Sequence, residues 1–136
     1  MTKVEFTIPG KAKAKGRPRM TRRGRVFTPQ DTIDYENYIR VCYQQERGEV
    51  FLEGPLCAQV IVYHKIPKAM PKYKQVKALD GTMLPTKKPD LDNVAKVVLD
   101  SLNNVAYSDD SQIVILHVER HYALKPKVVV MLEELE

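Results

Sequence analysis

The sequence has 136 residues, of which 43% are hydrophobic and 29% are charged, and this composition predicts one folded domain with a buried core. It excludes a collagen-like or disordered chain, and no apolar run approaches the ~20 residues of a membrane-spanning helix. The polar, basic N-terminal region does not resemble a secretory signal peptide, and the two cysteines, Cys42 and Cys57, fit neither a disulfide framework nor zinc-ligand spacing. We therefore expect a cytoplasmic protein.

The N-terminal part of the chain predicts a strand followed by a basic loop, residues 9–27. Val4, Phe6 and Ile8 alternate with polar residues before Pro9-Gly10. Positions 11–25 carry eight lysines and arginines and no acid, so with a net charge of +5 for the whole chain the other residues carry −3. Such a segment is typical of a protein that binds a phosphate backbone, and the alternative is a solvated loop without a partner. The candidate DNA-binding residues are Lys13, Lys15, Arg17, Arg19, Arg22 and Arg23, together with Lys88.

The middle of the chain predicts a helix, a strand and a short helix. Thr28-Pro29 is typical of a helix start, and this helix should end near Arg47-Gly48. Its expected apolar face consists of Tyr35, Tyr38, Ile39 and Cys42. A strand follows from Leu56 to Ile66. The lysine- and proline-rich residues 67–87 predict only a short helix near 72–79.

The clearest predicted helix spans residues 90–103, because its apolar residues lie on one face. Asn104 is expected to end it in the left-handed conformation. Residues 112–124 predict a long strand, with residues 128–132 as its hairpin partner across Lys125-Pro126. Since helices and strands do not alternate regularly, the expected fold class is α+β: a small mixed sheet with two main helices in a single domain, residues 1–136.

Two acidic clusters flank this last helix, Asp90 and Asp92 at its start and Asp109-Asp110 in the turn after it. Each cluster alone is ordinary, because such acids cap helices and form turns. If the turn returns the chain toward the start of the helix, three carboxylates converge, and their repulsion requires a proton or a divalent cation. Oxygen ligands without a nearby His or Cys favour Mg²⁺, with Mn²⁺ or Ca²⁺ as alternatives.

A cation held by carboxylates on a protein with a basic segment predicts phosphodiester hydrolysis. The candidate catalytic and metal-binding residues are Asp90, Asp92 and Asp110, with Asp109 as a fallback ligand or supporting residue. Lys96, one helical turn after Asp92, either forms a surface ion pair with it or orients it and offsets charge on the phosphate. The histidines and serines show no spacing that predicts a metal site or a nucleophile.

Residues 87–113, KKPDLDNVAKVVLDSLNNVAYSDDSQI, closely resemble the signature of the RusA-type Holliday-junction resolvases. The shared features are the acid-Leu-acid-Asn run, a lysine four residues later, the amphipathic helix, and Asp-Asp-Ser-Gln before a strand. Residues 15–19, KGRPR, resemble the family's basic loop. Asn104 stands where glycine is common in the family, and Ser108 where a basic residue is common.

The resemblance implies a homodimeric endonuclease that resolves four-way DNA junctions with Mg²⁺ in recombination and repair, often encoded in phage or prophage DNA. It implies that Asp90, Asp92 and Asp110 are catalytic and that Lys96 is important. It also implies a catalytic helix-turn-strand unit over residues 88–113. A two-fold dimer would supply two equivalent sites for paired symmetric nicks.

Two other functions stay open at this point. One is a nuclease that cuts flaps or other branched DNA with the same chemistry. The other is a non-catalytic DNA-binding protein in which the acids only cap a helix. Magnesium-dependent nicking, and its loss on Asp→Asn substitution at positions 90, 92 or 110, would distinguish an enzyme from a binding protein.

Overall fold

The structure is a computed structural model that describes residues 2–136. In chain order its elements are β1 (Lys3–Pro9), β2 (Arg19–Met20), β3 (Val26–Phe27), α1 (Gln30–Arg47), β4 (Leu56–Lys65), α2 (Lys72–Asp80), α3 (Leu91–Ser101), a 3-10 turn (Asp110–Gln112), β5 (Ile113–Ala123) and β6 (Lys127–Glu134). The predicted strands and helices are confirmed with boundaries shifted by a few residues. Asn104 has a φ of 64°, as the left-handed helix end requires.

The main sheet has four strands in the order β1-β6-β4-β5. β6 runs antiparallel to both β1 and β4, whereas β4 and β5 are parallel. The predicted hairpin between residues 112–124 and 128–132 is therefore wrong, because β4 lies between these two strands. The end of β4 occupies the place beside β5, where the Ile66 N–H donates to the Ala123 carbonyl at 3.2 Å. As a result β5 is an edge strand.

The core lies between the sheet and helices α1 and α3. Alternating residues of β1, β4 and β6 point into it, as the period of two in a strand dictates. The helices contribute residues that recur every three or four positions. The buried apolar residues of these elements include Val4, Phe6, Ile8, Ala58, Val60, Val62, Val128, Val130 and Leu132 from the sheet, Tyr35, Ile39, Cys42 and Tyr43 from α1, and Val94, Val97 and Val98 from α3. Each fully buried Val, Leu, Ile or Phe side chain stabilises the fold by roughly 1.5–3 kcal/mol.

One residue of the predicted apolar face of α1 lies outside the core. The Tyr38 side chain is exposed, and its hydroxyl donates to the Pro9 carbonyl at 2.8 Å. Tyr43 takes the buried position instead, with its ring edge against Phe6. The architecture is mixed α+β with one sheet core and three α-helices, of which α2 is short. No helix in residues 2–136 is long and apolar enough to cross a membrane.

The basic loop is more ordered than the sequence predicted, because its tip is a two-stranded hairpin of β2 and β3. The Thr21 N–H donates to the Arg25 carbonyl at 2.8 Å, and the Gly24 N–H donates to the Thr21 carbonyl at 2.9 Å. Gly24 has a φ of 80°, a conformation that a side chain would disfavour. The hairpin therefore presents its arginines on a defined turn.

Candidate active site

Asp90 and Asp92 lie at the exposed start of α3, and neither carboxylate is used to stabilise the helix by hydrogen bonding. Asp90 is the N-cap residue, yet its side chain accepts no capping hydrogen bond. Within residues 2–136 neither carboxylate forms an ion pair or accepts a hydrogen bond. Favourable interaction with the helix dipole is the only helix-stabilising role that the geometry leaves them. Both groups are available to a ligand.

The segment that leads into Asp90 is held by Arg120 of β5. Its guanidinium donates to the Lys87 carbonyl and, at 3.1 Å, to the Pro89 carbonyl. Sequence reasoning missed this residue. The signal was available, since Arg120 continues the alternation of Leu116 and Val118 on the strand face that pairs with Val60 and Val62 of β4. A charged residue in an apolar alternation marks a position with a specific partner.

Asp109 has a structural role at the other end of α3. Its carboxylate accepts a hydrogen bond from the Ser111 N–H at 3.0 Å, and Gln112 completes a capping box by accepting from the Asp109 N–H at 3.1 Å. Hydrogen bonding from Ser111 lowers the pKa of Asp109. Gln112 also donates to the Gly54 carbonyl at 3.0 Å, which fixes the turn against the loop before β4. The Asp109 carboxylate thus stabilises the turn after α3.

Asp110 lies beside Asp100, a residue that the sequence analysis did not select. Partial burial raises the pKa of Asp110, and the neighbouring Asp100 and Asp109 carboxylates raise it further. Asp100 is held in turn by the Lys15 ammonium at 2.7 Å, which also contacts Glu36 at 3.5 Å. The result is a half-buried group at the C-terminal end of α3, which consists of three acids, Asp100, Asp110 and Glu36, and one lysine, Lys15.

The expected convergence of Asp90, Asp92 and Asp110 is not formed within one chain. Among the His, Cys, Asp and Glu residues in positions 2–136, no three form a group that could hold a metal ion. The reason is the length of α3, about 16 Å at 1.5 Å per residue. The turn after α3 brings Asp110 back to Asp100 at the near end of the helix and not to Asp90 at the far end.

Asp92 and Asp110 nevertheless border one open groove between α3 and β5, with a volume of about 470 Å³. Its floor is apolar and its rim is charged. The floor residues are Leu91, Ala95, Leu99, Leu116 and Val118, and the rim residues are Asp92, Lys96, Asp100 and Asp110. Lys96 is exposed and forms no ion pair in the described part of the chain, so the surface pair with Asp92 is absent.

The donor set is chemically suited to Mg²⁺. All the acids at this site offer hard oxygen ligands, and Mg²⁺ in proteins is commonly bound by one or two carboxylates together with water and substrate phosphates. Asp90 and Asp92 are unengaged, and Asp110 shares a cavity with Asp92. A magnesium ion held partly by the substrate would therefore fit these residues, whereas a cage made by one chain alone would not.

The basic segment is joined to this site through Lys15. The Lys15 N–H donates to the Asn93 carbonyl of α3 at 3.3 Å, and the Gly16 N–H donates to the Thr32 hydroxyl of α1 at 2.9 Å. Since the Lys15 ammonium is bound to Asp100 and Glu36, a phosphate would have to compete with two carboxylates for it. The other candidate cations form no ion pair with any residue from 2 to 136; they are Lys13, Arg17, Arg19, Arg22, Arg23 and Lys88. Lys13 lies over the Tyr35 ring, 5.9 Å from its centre.

Carboxylates and cations that have no structural partner in residues 2–136 suit a protein that handles phosphate esters, and comparison with known proteins identifies its family. The family model "Endodeoxyribonuclease RusA" matches residues 9–133. The chain is also 40% identical over 136 residues to the uncharacterized protein YqaN of Bacillus subtilis (strain 168), and the match covers 96% of each chain. The protein belongs to the RusA endodeoxyribonuclease family. Membership implies a hydrolase that cuts phosphodiester bonds within DNA, in a family that acts on Holliday junctions.

Proposed function

We propose that this protein is a magnesium-dependent endonuclease that resolves four-way DNA junctions in the cytoplasm by paired symmetric nicks during recombination and repair. The observation that carries the proposal is the state of Asp90 and Asp92. Both carboxylates stand at a helix start without a capping hydrogen bond or an ion pair in residues 2–136, and two lysines without an ion pair, Lys11 and Lys88, border the same cavity as Asp90. A carboxylate with no structural partner next to a phosphate-binding surface is suited to bind a cation that the phosphate also binds.

The residues divide the work as follows. Asp90 and Asp92 would hold the metal, and Asp110, which borders the same groove as Asp92, would contribute a further carboxylate from the other end of that groove. Lys96, which forms no ion pair with residues 2–136, offsets the negative charge that develops on the phosphate. When bound, Mg²⁺ supplies Lewis-acid polarisation of the phosphate and a lowered pKa of its water, and Mn²⁺ could replace it. The hairpin arginines hold the DNA, and Arg120 keeps the Lys87–Pro89 segment in place.

A cleavage assay tests this proposal. The protein is offered a four-way junction, a flap, a linear duplex and a single strand in Mg²⁺ and in EDTA, and the nicks are mapped. We expect paired nicks at symmetric positions in the junction, only with the metal. Preferential cutting of the flap would assign a branched-DNA nuclease instead. Junction binding without any cleavage would assign a non-catalytic DNA-binding protein.

We further propose that the protein acts as a two-fold homodimer formed along the β5 edge. The outer edge of β5 pairs with no strand within residues 2–136, and Val114, Ile115 and Leu116 expose 62%, 52% and 48% of their surface. An unpaired apolar edge strand is a ready surface for a second copy. The acid-rimmed groove lies on the same edge, so such a dimer would bring the acids of the two copies toward each other. Within a single chain, Asp90, Asp92 and Asp110 do not converge.

Sedimentation analysis of two matched variants tests the dimer. Leu116→Glu places a charge on the β5 edge, and we expect it to convert a dimeric wild type into a monomer with at most weak cleavage. Val76→Glu is the control, since Val76 is also exposed but lies on α2. A monomeric wild type, or a Leu116→Glu variant that stays dimeric, would overturn this assembly without affecting the assignment of Asp90 and Asp92.

A further inference from the structure

A second cavity, with a volume of about 270 Å³, adjoins Lys88 and is strongly basic. Its border includes four lysines, Lys11, Lys65, Lys87 and Lys88, and no carboxylate. None of these four ammonium groups forms an ion pair within residues 2–136. The Lys87 ammonium lies over the Tyr122 ring, 5.7 Å from its centre, but no carboxylate in the described part of the chain neutralises any of the four lysines. Four such charges on one concave surface create a positive potential that attracts an anion and disfavours a metal ion.

The wall of this cavity also includes His64 of β4, whose imidazole lacks a hydrogen-bond partner. The side chain is only 6% exposed, and its Nε2 is a buried polar atom without a partner in the described chain. Burial lowers the pKa of His64, and the charges of Lys87, Arg120 and Lys11 lower it further, so the ring is neutral at pH 7. A neutral imidazole can carry its proton on Nε2 and donate it. Leaving such a buried group unpaired is unfavourable, so a ligand that accepts from it gains affinity.

The His64 cavity adjoins the start of α3. A neighbouring cavity of about 390 Å³ is bordered by Asp90 and Asn93, and Lys11 and Lys88 border both cavities. An anion in the His64 cavity would therefore lie directly next to a group bound at Asp90. The two cavities differ in charge, since the first has only cations and the second has a carboxylate.

We propose that the His64 cavity binds one backbone phosphate of the DNA strand, adjacent to the phosphate that is cut at Asp90. The lysines neutralise the phosphate, and the Nε2–H of His64 donates to one of its oxygens. The assignment of this phosphate to DNA rests on the proposed function, because inorganic phosphate would offer the cavity the same chemical group. Its role is to fix the register of the strand, so that a neighbouring phosphodiester reaches the acids.

Binding of the phosphate group is tested first with inorganic phosphate. The imidazole resonances of His64 are followed by NMR and are distinguished from those of the two other histidines with His117→Gln and His121→Gln. We expect a saturable shift and a raised pKa of His64 with phosphate, but not with chloride at equal ionic strength. Lys11→Met with Lys87→Met should abolish the response, whereas Lys3→Met, which removes an exposed lysine at the start of β1, should preserve it. A wild type whose His64 does not respond to phosphate overturns the site.

A second experiment tests whether the bound phosphate belongs to DNA. Single backbone phosphates of a four-way junction are replaced with neutral methylphosphonates, and binding is measured in EDTA. We expect one position next to the nick to weaken wild-type binding on the order of tenfold, and the Lys11/Lys87 double variant to be insensitive to that position. The double variant should also lower the slope of log K against log[salt] by about 0.9 per lost contact. A response to inorganic phosphate without any sensitive DNA position would overturn the DNA assignment in favour of a free phosphate.

The two proposals fail in different ways. Asp90→Asn should strongly lower cleavage while His64 still responds to phosphate. An unaltered salt slope in the double variant, together with normal loss of cleavage in Asp90→Asn, would overturn the phosphate cavity and leave the nuclease assignment intact.

Discussion

The two ends of α3 carry similar acids in opposite circumstances. At the N-terminal end, Asp90 and Asp92 are exposed and have no hydrogen-bond or ion-pair partner in residues 2–136. At the C-terminal end, Asp109 caps the following turn and Asp110 lies against Asp100. Residue type alone would treat these four acids as equivalent. Their hydrogen bonds separate the acids that hold the fold together from those that are free to bind a ligand.

This difference also explains how one helix can stabilise the fold and still present free carboxylates for the proposed catalysis. The buried face of α3 fixes its position, and Tyr107 anchors its last turn by donating a hydrogen bond to the Leu99 carbonyl at 2.6 Å. The acids at the anchored end can therefore be partly structural. The acids at the start rest on a segment that Arg120 holds through backbone carbonyls only. Their side chains stay free in a fixed place, as a preorganised ligand requires.

The largest expected effect comes from the free end of the helix. Asp90→Asn or Asp92→Asn should lower magnesium-dependent cleavage of a four-way junction by about 10²–10³-fold or more, the scale of losing one element of transition-state stabilisation. Single-turnover cleavage and junction binding are measured separately, and binding should be kept because no DNA-binding cation is removed. Asp31→Asn is the matched control, since Asp31 is the acid in the first turn of α1. An Asp90→Asn variant that cleaves normally would mean that the free carboxylates at the start of α3 do not take part in the reaction.

Asp109→Ala should affect stability more than chemistry. It removes the acceptor of the Ser111 N–H, so we expect a thermal midpoint lower by a few degrees, the usual effect of losing one cap. Asp109→Asn keeps a capping oxygen and should largely restore the midpoint. Because folding lowers the pKa of Asp109, its contribution is present at neutral pH and is lost as the pH falls through the folded-state pKa. Thermal unfolding at pH 7 and at about pH 3 checks both points.

The structural role of Asp109 would be contradicted by an Asp109→Ala variant that keeps its thermal midpoint but cleaves as slowly as Asp90→Asn. Asp109 would then belong with the free acids, as a ligand.

Much of the fold could be predicted from the sequence, because its elements depend on local patterns. The alternation in β1 and β4, the apolar face of α3 and the left-handed Asn104 are set by neighbouring residues. The partner of β6 was not predictable in this way. Both β4 and β5 present alternating residues to a neighbour, and only the packed sheet decides that β4 takes the central place.

The candidate site was predictable to a similar extent. The position of Asp90 and Asp92 at a helix start follows from the sequence, but the engagement of Lys15 by Asp100 does not, since 85 residues separate them. Such long-range pairs decide which members of a charged segment are free. Arg120 left a detectable trace as a charge in an apolar alternation, whereas Asp100 and Lys15 fit ordinary solvated faces and left none.

Lys15→Met tests that distinction within the basic segment. Lys15 is bound to Asp100 and Glu36, so we expect a loss of stability of about 1 kcal/mol or less and no change in the salt slope of junction binding. Arg22→Met should do the reverse, because Arg22 is exposed on the hairpin and has no ion pair in the described chain: stability stays, and the slope falls by about 0.9 if Arg22 meets a phosphate. Denaturant unfolding and binding titrations at several salt concentrations measure both quantities. Lys15→Arg should restore the stability, and a reduced salt slope in Lys15→Met would return Lys15 to the DNA-binding residues.

The smallest expected effect is an increase in stability, on substitution of Asp110. Burial, Asp100 and Asp109 raise the pKa of Asp110, so its ionised form is less favourable in the folded protein than in the unfolded chain. Above the folded-state pKa this charge costs stability, and the cost disappears as the pH falls below the ordinary value of about 3.9. Asp110→Asn should therefore stabilise the protein by a few tenths of a kcal/mol at pH 7 in EDTA, and by nothing measurable at about pH 3, while it lowers cleavage. Thermal unfolding in EDTA and in Mg²⁺ measures the effect, and added Mg²⁺ should shrink the gain because the wild type then has a cation beside Asp110. A destabilised Asp110→Asn would show that Asp110, like Asp109, is needed for the fold.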